Sequence, residues 1–124
     1  MNFNADQAIY LQIADLVCEN ILRRTWNEGD KAPSVRELAI ELQVNPNTVM
    51  RTYTYLQEKA IIEIKRGVGF YIPTGSYQKT LQLMKDDFLN NNLPEVKKKM
   101  ELLGITIDEI AAHLQPNTPR GVAI

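Results

Sequence analysis

Residues 34–66 constrain the fold of this chain more than any other stretch, because they contain two short helix patterns separated by a tight break. Ser34 is followed at the third position by Glu37, and such a pair forms a capping box, in which each side chain bonds the other residue's backbone N–H at a helix start. Asn45 and Pro46 indicate a second helix start, since asparagine caps helices and proline suits their first turn. This spacing predicts a helix-turn-helix.

A basic hairpin is predicted directly after the second of these helices. Two β-rich runs, Ile61–Ile64 and Phe70–Ile72, are joined through Lys65 and the turn Arg66-Gly67-Val68-Gly69. Glycine permits a tight hairpin and a close backbone approach, and cations beside it suit a phosphate backbone. The full order predicts a winged helix-turn-helix, whose second helix enters the major groove of DNA while the hairpin contacts the flanking backbone or minor groove. We therefore expect a transcription regulator.

An amphipathic helix is expected before this region, because apolar residues recur at intervals of three and four between Gln7 and Arg24. These residues are Ile9, Ile13, Leu16, Val17 and Ile21. Cys18, the single cysteine, lies within the same helix. It can form no internal disulfide, and we interpret it as a small, partly buried core residue rather than a redox sensor.

The composition becomes helical after residue 75. A helix is predicted over Tyr77–Asn90, a break at the three asparagines 90–92, a short helix from Pro94, and a final one after the capping box of Thr106 and Glu109. The first of these helices carries an apolar stripe that a segment this short can hardly bury within one chain, so we expect it to form a homodimer contact through Leu81, Met84 and Phe88. The predicted fold class is α+β: a winged helix-turn-helix DNA-binding domain over residues 1–75 and a small all-α dimerisation unit over 76–124.

The charge distribution is compatible with a DNA partner although the formal net charge is −1. Arg36, Arg51, Lys65 and Arg66 fall on the elements that would face DNA, and a local basic face can bind phosphate on an acidic protein. No apolar run approaches the roughly 18 residues of a membrane span, and the first residues do not have the pattern of a signal peptide. We expect a cytoplasmic protein with no membrane partner.

Catalysis and metal binding find little support in the residue inventory. The chain has one histidine and one cysteine, and it lacks the glycine-rich phosphate loops and the nucleophile elbow of enzymes. Asp86 and Asp87 could suggest a metal site. However, His113 is the only histidine, and no cluster of carboxylates with the spacing of metal ligands accompanies it. We expect no enzyme activity, no cofactor and no metal.

Four fragments, in the right order and spacing, resemble the DNA-binding domain of the GntR family of bacterial regulators over about Ala8 to Ile72. They are Ala8-Ile9-Tyr10-Leu11-Gln12-Ile13, Glu28-Gly29-Asp30-Lys31-Ala32-Pro33-Ser34-Val35-Arg36-Glu37-Leu38-Ala39, Val44-Asn45-Pro46-Asn47-Thr48-Val49 and Arg66-Gly67-Val68-Gly69. The short helical remainder is similar in size to that of the YtrA subfamily. The resemblance implies a dimeric, repressor-like protein that binds a palindromic operator, often one controlling a transporter operon.

The resemblance also implies which residues contact DNA: Arg36 on the second helix, Asn45, Asn47, Thr48 and Arg51 on the recognition helix, and Arg66, Gly67 and Gly69 in the wing. Pro46, Met50 and Val68 depart from the family pattern, since many relatives have basic residues at these positions. Independently of the family, Asn and Thr at a helix start can bond base edges or phosphates, and unpaired N–H groups there attract a phosphate.

Alternative roles remain for several of these residues. Asn45 could serve only as a cap, Asn47 could be a solvated surface residue, Arg51 could pair with Glu58, and the wing glycines could serve turn geometry alone. The protein as a whole has two alternative functions. One is a protein-interaction module with little DNA affinity, and the other is a switch with a small-molecule effector near Tyr77 or Tyr10.

Overall fold

The computed structural model describes residues 7–116, which divide into two compact units. The first unit ends at Lys85 and the second begins at Asp86. The first unit contains three helices, a two-stranded hairpin and most of a fourth helix: α1 (Ile9–Leu22), α2 (Val35–Leu42), α3 (Pro46–Glu58), β1 (Glu63–Lys65), β2 (Gly69–Tyr71) and α4 (Ser76–Asp87). The second contains a π-helical segment (Phe88–Asn92), α5 (Leu93–Leu103) and α6 (Ile107–Leu114).

The helix starts follow from local capping, as predicted. Ser34 Oγ accepts from the Glu37 N–H at 3.0 Å, while the Glu37 carboxylate accepts from the Ser34 N–H at 2.8 Å. Thr106 and Glu109 form the second capping box at the start of α6. Between α2 and α3 the chain turns through Gln43, which adopts a left-handed conformation with φ +57°.

The core of the first unit lies where α3 packs against both α1 and α2. Tyr53 at its centre is fully buried, donates from its hydroxyl to the Pro33 carbonyl at 2.7 Å, and meets the Phe70 ring edge-on at 4.8 Å between centroids. Cys18 is 1% exposed in the same core, so it is a core residue as predicted but is buried more completely than expected. The largest other core members are Ile13, Val17, Ile21, Leu38, Val49, Leu56, Ile61, Ile62 and Ile72.

The wing is a short antiparallel hairpin in which Lys65 pairs with Gly69 and Glu63 with Tyr71. The first predicted strand began too early, because Ile61 and Ile62 are both completely buried and lie before β1. Successive residues of a strand point to opposite faces, so two adjacent residues buried in one core do not suit the edge of a surface hairpin.

The first compact unit extends ten residues beyond the boundary expected at residue 75. The first part of α4 is attached to the core, because Ser76 Oγ donates to the Ile61 carbonyl at 2.7 Å and Thr80 is fully buried. Leu83 and Met84 also pack against the core.

The break predicted at residues 90–92 is wrong, because the chain stays helical there. It widens into a π-helical turn in which the Leu93 N–H donates to the Phe88 carbonyl. Pro94 lies immediately beyond this turn, and a proline inside a helix removes one N–H donor and crowds the carbonyl four residues earlier. A wider turn before it relieves that crowding.

Candidate nucleic-acid interface

The first turn of α3 is closed by its own cap. Asn45 Oδ1 accepts from the Asn47 N–H at 2.8 Å, and the Asn45 carbonyl accepts from the Thr48 N–H at 2.9 Å. Pro46, at the first helical position, has no N–H. The N–H groups of this helix start are therefore paired and not free for a phosphate, contrary to the expectation, so a polar partner of this turn would meet side chains.

Three of the predicted contact residues lie together along one side of α3. Asn47, Thr48 and Arg51 line a groove of about 380 Å³, whose other wall is formed by residues 8–10 at the start of α1. Asn47 and Arg51 are exposed, and Thr48 is half-buried. An amide, a hydroxyl and a guanidinium in one groove can bond base edges and phosphate oxygens.

Arg51 is held by an aromatic ring. The central carbon of its guanidinium lies over the Tyr10 ring, 4.0 Å from the centroid. No ion pair joins Arg51 to Glu58 in the described part of the chain, so this alternative role is not supported. Because the ring carries no formal charge, Arg51 keeps its full positive charge for another partner.

Arg36 lies exposed in the first turn of α2. Its neighbour Glu37 is engaged in the capping box, and the backbone N–H of Ser34 lowers the pKa of the Glu37 carboxyl. The carboxylate is thus fixed at the helix start, and Arg36 stands beside it on a rigid, capped turn.

The wing presents Lys65, Arg66 and Gly67 as exposed residues at its tip. Gly67 and Gly69 have φ values of +80° and +107°, which favour glycine. The turn geometry therefore accounts for both glycines, and it leaves the backbone at Gly67 open to approach.

Sequence reasoning missed two residues that the fold adds to this surface. Tyr10 forms the wall of the α3 groove and contacts Arg51. Lys31 forms an isolated bridge with Tyr71 beside β2, and its Cε lies 3.7 Å from the position that a side chain at Gly69 would take. Both residues lie within the GntR-like fragments 8–13 and 28–39, but neither belongs to the helix-turn-helix or the hairpin pattern.

The apolar stripe expected to form a dimer contact is divided by the structure. Met84 packs against the core of the first unit, and Leu81 is half-buried. Phe88 belongs to the second unit and is 53% exposed. The three residues therefore do not form one exposed stripe.

Residues 7–116 contain neither a candidate metal site nor a candidate membrane span. No group of three or more His, Cys, Asp or Glu side chains that could hold a metal ion occurs there. No helix in this range is long and apolar enough to cross a membrane.

The fold combines a capped helix behind a tight turn, two supporting helices and a basic two-stranded wing. This combination defines the winged helix-turn-helix class of DNA-binding proteins. The family model described as "Bacterial regulatory proteins, gntR family" matches residues 9–72. The uncharacterised HTH-type transcriptional regulator YhcF of Bacillus subtilis is 37% identical over 119 residues, covering 96% of this chain and 97% of its own length.

Further relatives agree with this match. The HTH-type transcriptional repressor YtrA of Bacillus subtilis is 35% identical over 102 residues, covering 82% of this chain and 78% of its own. The solved structure of a GntR family transcriptional regulator from Listeria monocytogenes is 34% identical, with a TM-score of 0.74 over 91% of this chain and 97% of that one. The chain belongs to the GntR family: it is a transcription regulator with a DNA-binding helix-turn-helix, and not an enzyme.

Proposed function

We propose that this protein is a cytoplasmic repressor that binds a palindromic operator as a homodimer. The observation that carries this proposal is the grouping of Asn47, Thr48 and Arg51 in one groove of a rigidly capped helix, in the same compact unit as a basic wing. The similarity to the repressor YtrA supports repression as the direction of control. The resemblance to the YtrA subfamily favours a transporter operon as the regulated locus.

Each predicted contact residue has a role that suits its chemistry. Asn47 and Thr48 read base edges from the start of α3, and Arg51 and Arg36 bind phosphates on either side. Lys65 and Arg66 neutralise backbone charge beside the wing. Gly67 and Gly69 shape the wing turn. Asn45 caps the start of α3 through its Oδ1, and its exposed side chain is also available to DNA.

We propose that a second copy of this chain covers the apolar surface of the second unit. None of the described residues of the π-helical segment, α5 or α6 is buried. Several large apolar side chains are exposed there, among them Phe88, Leu93, Val96, Leu103, Ile107 and Leu114. Exposed large apolar side chains on a unit with no buried residue among those described favour a protein–protein contact, and two identical surfaces related by a two-fold axis would match a palindrome.

Selection of bound duplexes from a randomised DNA pool tests the proposal directly. We expect enrichment of an inverted repeat, a gel shift with the selected duplex, and a dimer by light scattering at micromolar concentration. Addition of the protein to an in vitro transcription reaction from a promoter carrying the selected site should reduce transcript yield. Failure to enrich any sequence would refute the DNA-reading role, and would favour a protein-interaction module instead.

The salt dependence of binding tests the phosphate role of Arg36. Arg36→Ala should weaken binding to all duplexes and reduce the slope of log affinity against log salt by about one. The matched control is Arg23→Ala, which removes the same charge from an exposed residue that pairs with Glu19 at 3.7 Å, just after α1. An unchanged slope in Arg36→Ala would remove this residue from the contact surface.

A further inference from the structure

Tyr10 occupies an unusual position for a residue outside the helix-turn-helix. It lies in the first turn of α1, yet three of its contacts are with α3. Its ring lies under the Arg51 guanidinium at 4.0 Å, meets Tyr55 edge-on at 6.3 Å, and its carbonyl accepts from Thr52 Oγ1 at 2.7 Å. The backbone and the ring of Tyr10 are thus both fixed against the reading helix.

The contact with Tyr10 restricts the Arg51 side chain, which is long and flexible. A free arginine on a helix surface samples many rotamers and loses that freedom when it binds. A carboxylate partner would restrict it, but would also compete with phosphate for its charge. An aromatic face restricts the guanidinium through its quadrupole and leaves the charge in place.

We propose that Tyr10 is a positioning residue for DNA binding, which holds the Arg51 guanidinium in the α3 groove beside Asn47 and Thr48 before DNA arrives. The proposal rests on the function proposed above. It assigns a DNA-binding role to α1, an element that would otherwise serve only as support. The contact requires the π face of the ring and not its hydroxyl.

Two substitutions at Tyr10 distinguish the contribution of the aromatic ring to DNA binding from that of the hydroxyl. Tyr10→Leu removes the face, and we expect it to weaken binding to the selected duplex about fivefold, the size of an exposed cation–π contact. Tyr10→Phe keeps the face and should bind within about twofold of the unmodified protein. Tyr10→Leu should leave the salt slope unchanged, because Arg51 still reaches its phosphate in the complex, whereas Arg51→Ala should lower the slope by about one.

A double-mutant cycle distinguishes positioning from general structural support. If Tyr10 acts through Arg51, Tyr10→Leu should cause no further loss in an Arg51→Ala background. A merely structural role would weaken binding equally in both backgrounds. The matched control is Tyr77→Leu, since Arg24, which follows α1, lies 3.7 Å from the centroid of the ring of Tyr77 on α4, and neither residue belongs to α3. This control should leave the affinity unchanged.

A fluorination series keeps the test decisive even if Tyr10→Leu does not fold. Phenylalanine analogues with increasing fluorine content at position 10 keep the ring shape while weakening the quadrupole. Affinity should fall progressively along the series, and a flat series would overturn the proposal. If the unmodified protein selects no DNA, the proposed function fails and this inference with it; normal DNA binding with a flat series refutes only the role of Tyr10.

Discussion

Replacement of threonine by valine should change the free energy of unfolding in opposite directions at two buried positions. Thr52 and Thr80 are both fully buried. Thr52 Oγ1 donates to the Tyr10 carbonyl at 2.7 Å and lies 3.1 Å from the Thr48 carbonyl. Thr80 Oγ1 has no hydrogen-bond partner among the described residues. Valine has nearly the shape of threonine, so the substitution changes only the hydroxyl.

The expected magnitudes follow from these partners. Thr52→Val deprives the Tyr10 carbonyl of its donor, and losing a partner at a buried hydrogen bond lowers the free energy of unfolding by about 1–2 kcal/mol. Thr80→Val removes a buried hydroxyl whose desolvation nothing offsets, so it should raise the free energy of unfolding by about 1 kcal/mol. The two variants should therefore differ by about 2–3 kcal/mol.

Urea denaturation, followed by circular dichroism and by the fluorescence of Trp26, measures both values. With a slope of about 1–2 kcal/mol per molar urea, the two midpoints should lie more than about 1 M apart, on opposite sides of the unmodified protein. All samples need the same protein concentration, because the stability of the proposed homodimer would depend on it. Midpoints that shift in the same direction would refute the hydrogen-bond reasoning, and so would a Thr52→Val variant as stable as the unmodified protein.

Two further predictions concern a buried thiol and the wing turn. Burial, with the charges of Asp15 and Glu19, raises the pKa of Cys18 to about 12; the folded state therefore keeps its proton while the unfolded state loses it above about pH 9. Stability should fall as the pH rises from 9 towards 12, and it should fall less in Cys18→Ala, where the buried Tyr53, whose pKa burial also raises, still contributes a loss. Ellman's reagent should react with Cys18 only after unfolding. Asparagine tolerates the φ of +80° at Gly67 better than the +107° at Gly69, so Gly69→Asn should lower the melting temperature more than Gly67→Asn. Equal melting temperatures would contradict this difference.

Features that depend on neighbours in sequence were predictable here. The capping box of Ser34 and Glu37 and the start of α3 at Asn45 and Pro46 are set by residues within one helical turn. Their geometry depends little on the rest of the fold. Residue patterns of this range are therefore enough to predict the helix-turn-helix without knowledge of tertiary contacts.

Features that depend on burial or on distant contacts were not predictable in the same way. Ile61 and Ile62 have high β propensity, but complete burial next to α3 places them before the strand. The asparagines before Pro94 are only mild helix breakers, and Asn91 donates to the Asp87 carboxylate at 2.7 Å, which supports a continued helical path. In both cases tertiary or medium-range contacts outweigh local preference.

The α3 groove shows why the proposed DNA-binding surface depends on more than the helix-turn-helix pattern. Its residues on α3 are close in sequence, but its other wall comes from the start of α1. Thr52 connects the two through its hydrogen bond to the Tyr10 carbonyl, and Arg51, the next residue, lies over the Tyr10 ring. A change that loosens the Thr52 bond should therefore also move the ring beneath Arg51. Stability at Thr52 and affinity at Arg51 should accordingly be coupled, whereas Thr80→Val, on α4, should change stability without changing affinity for the selected duplex.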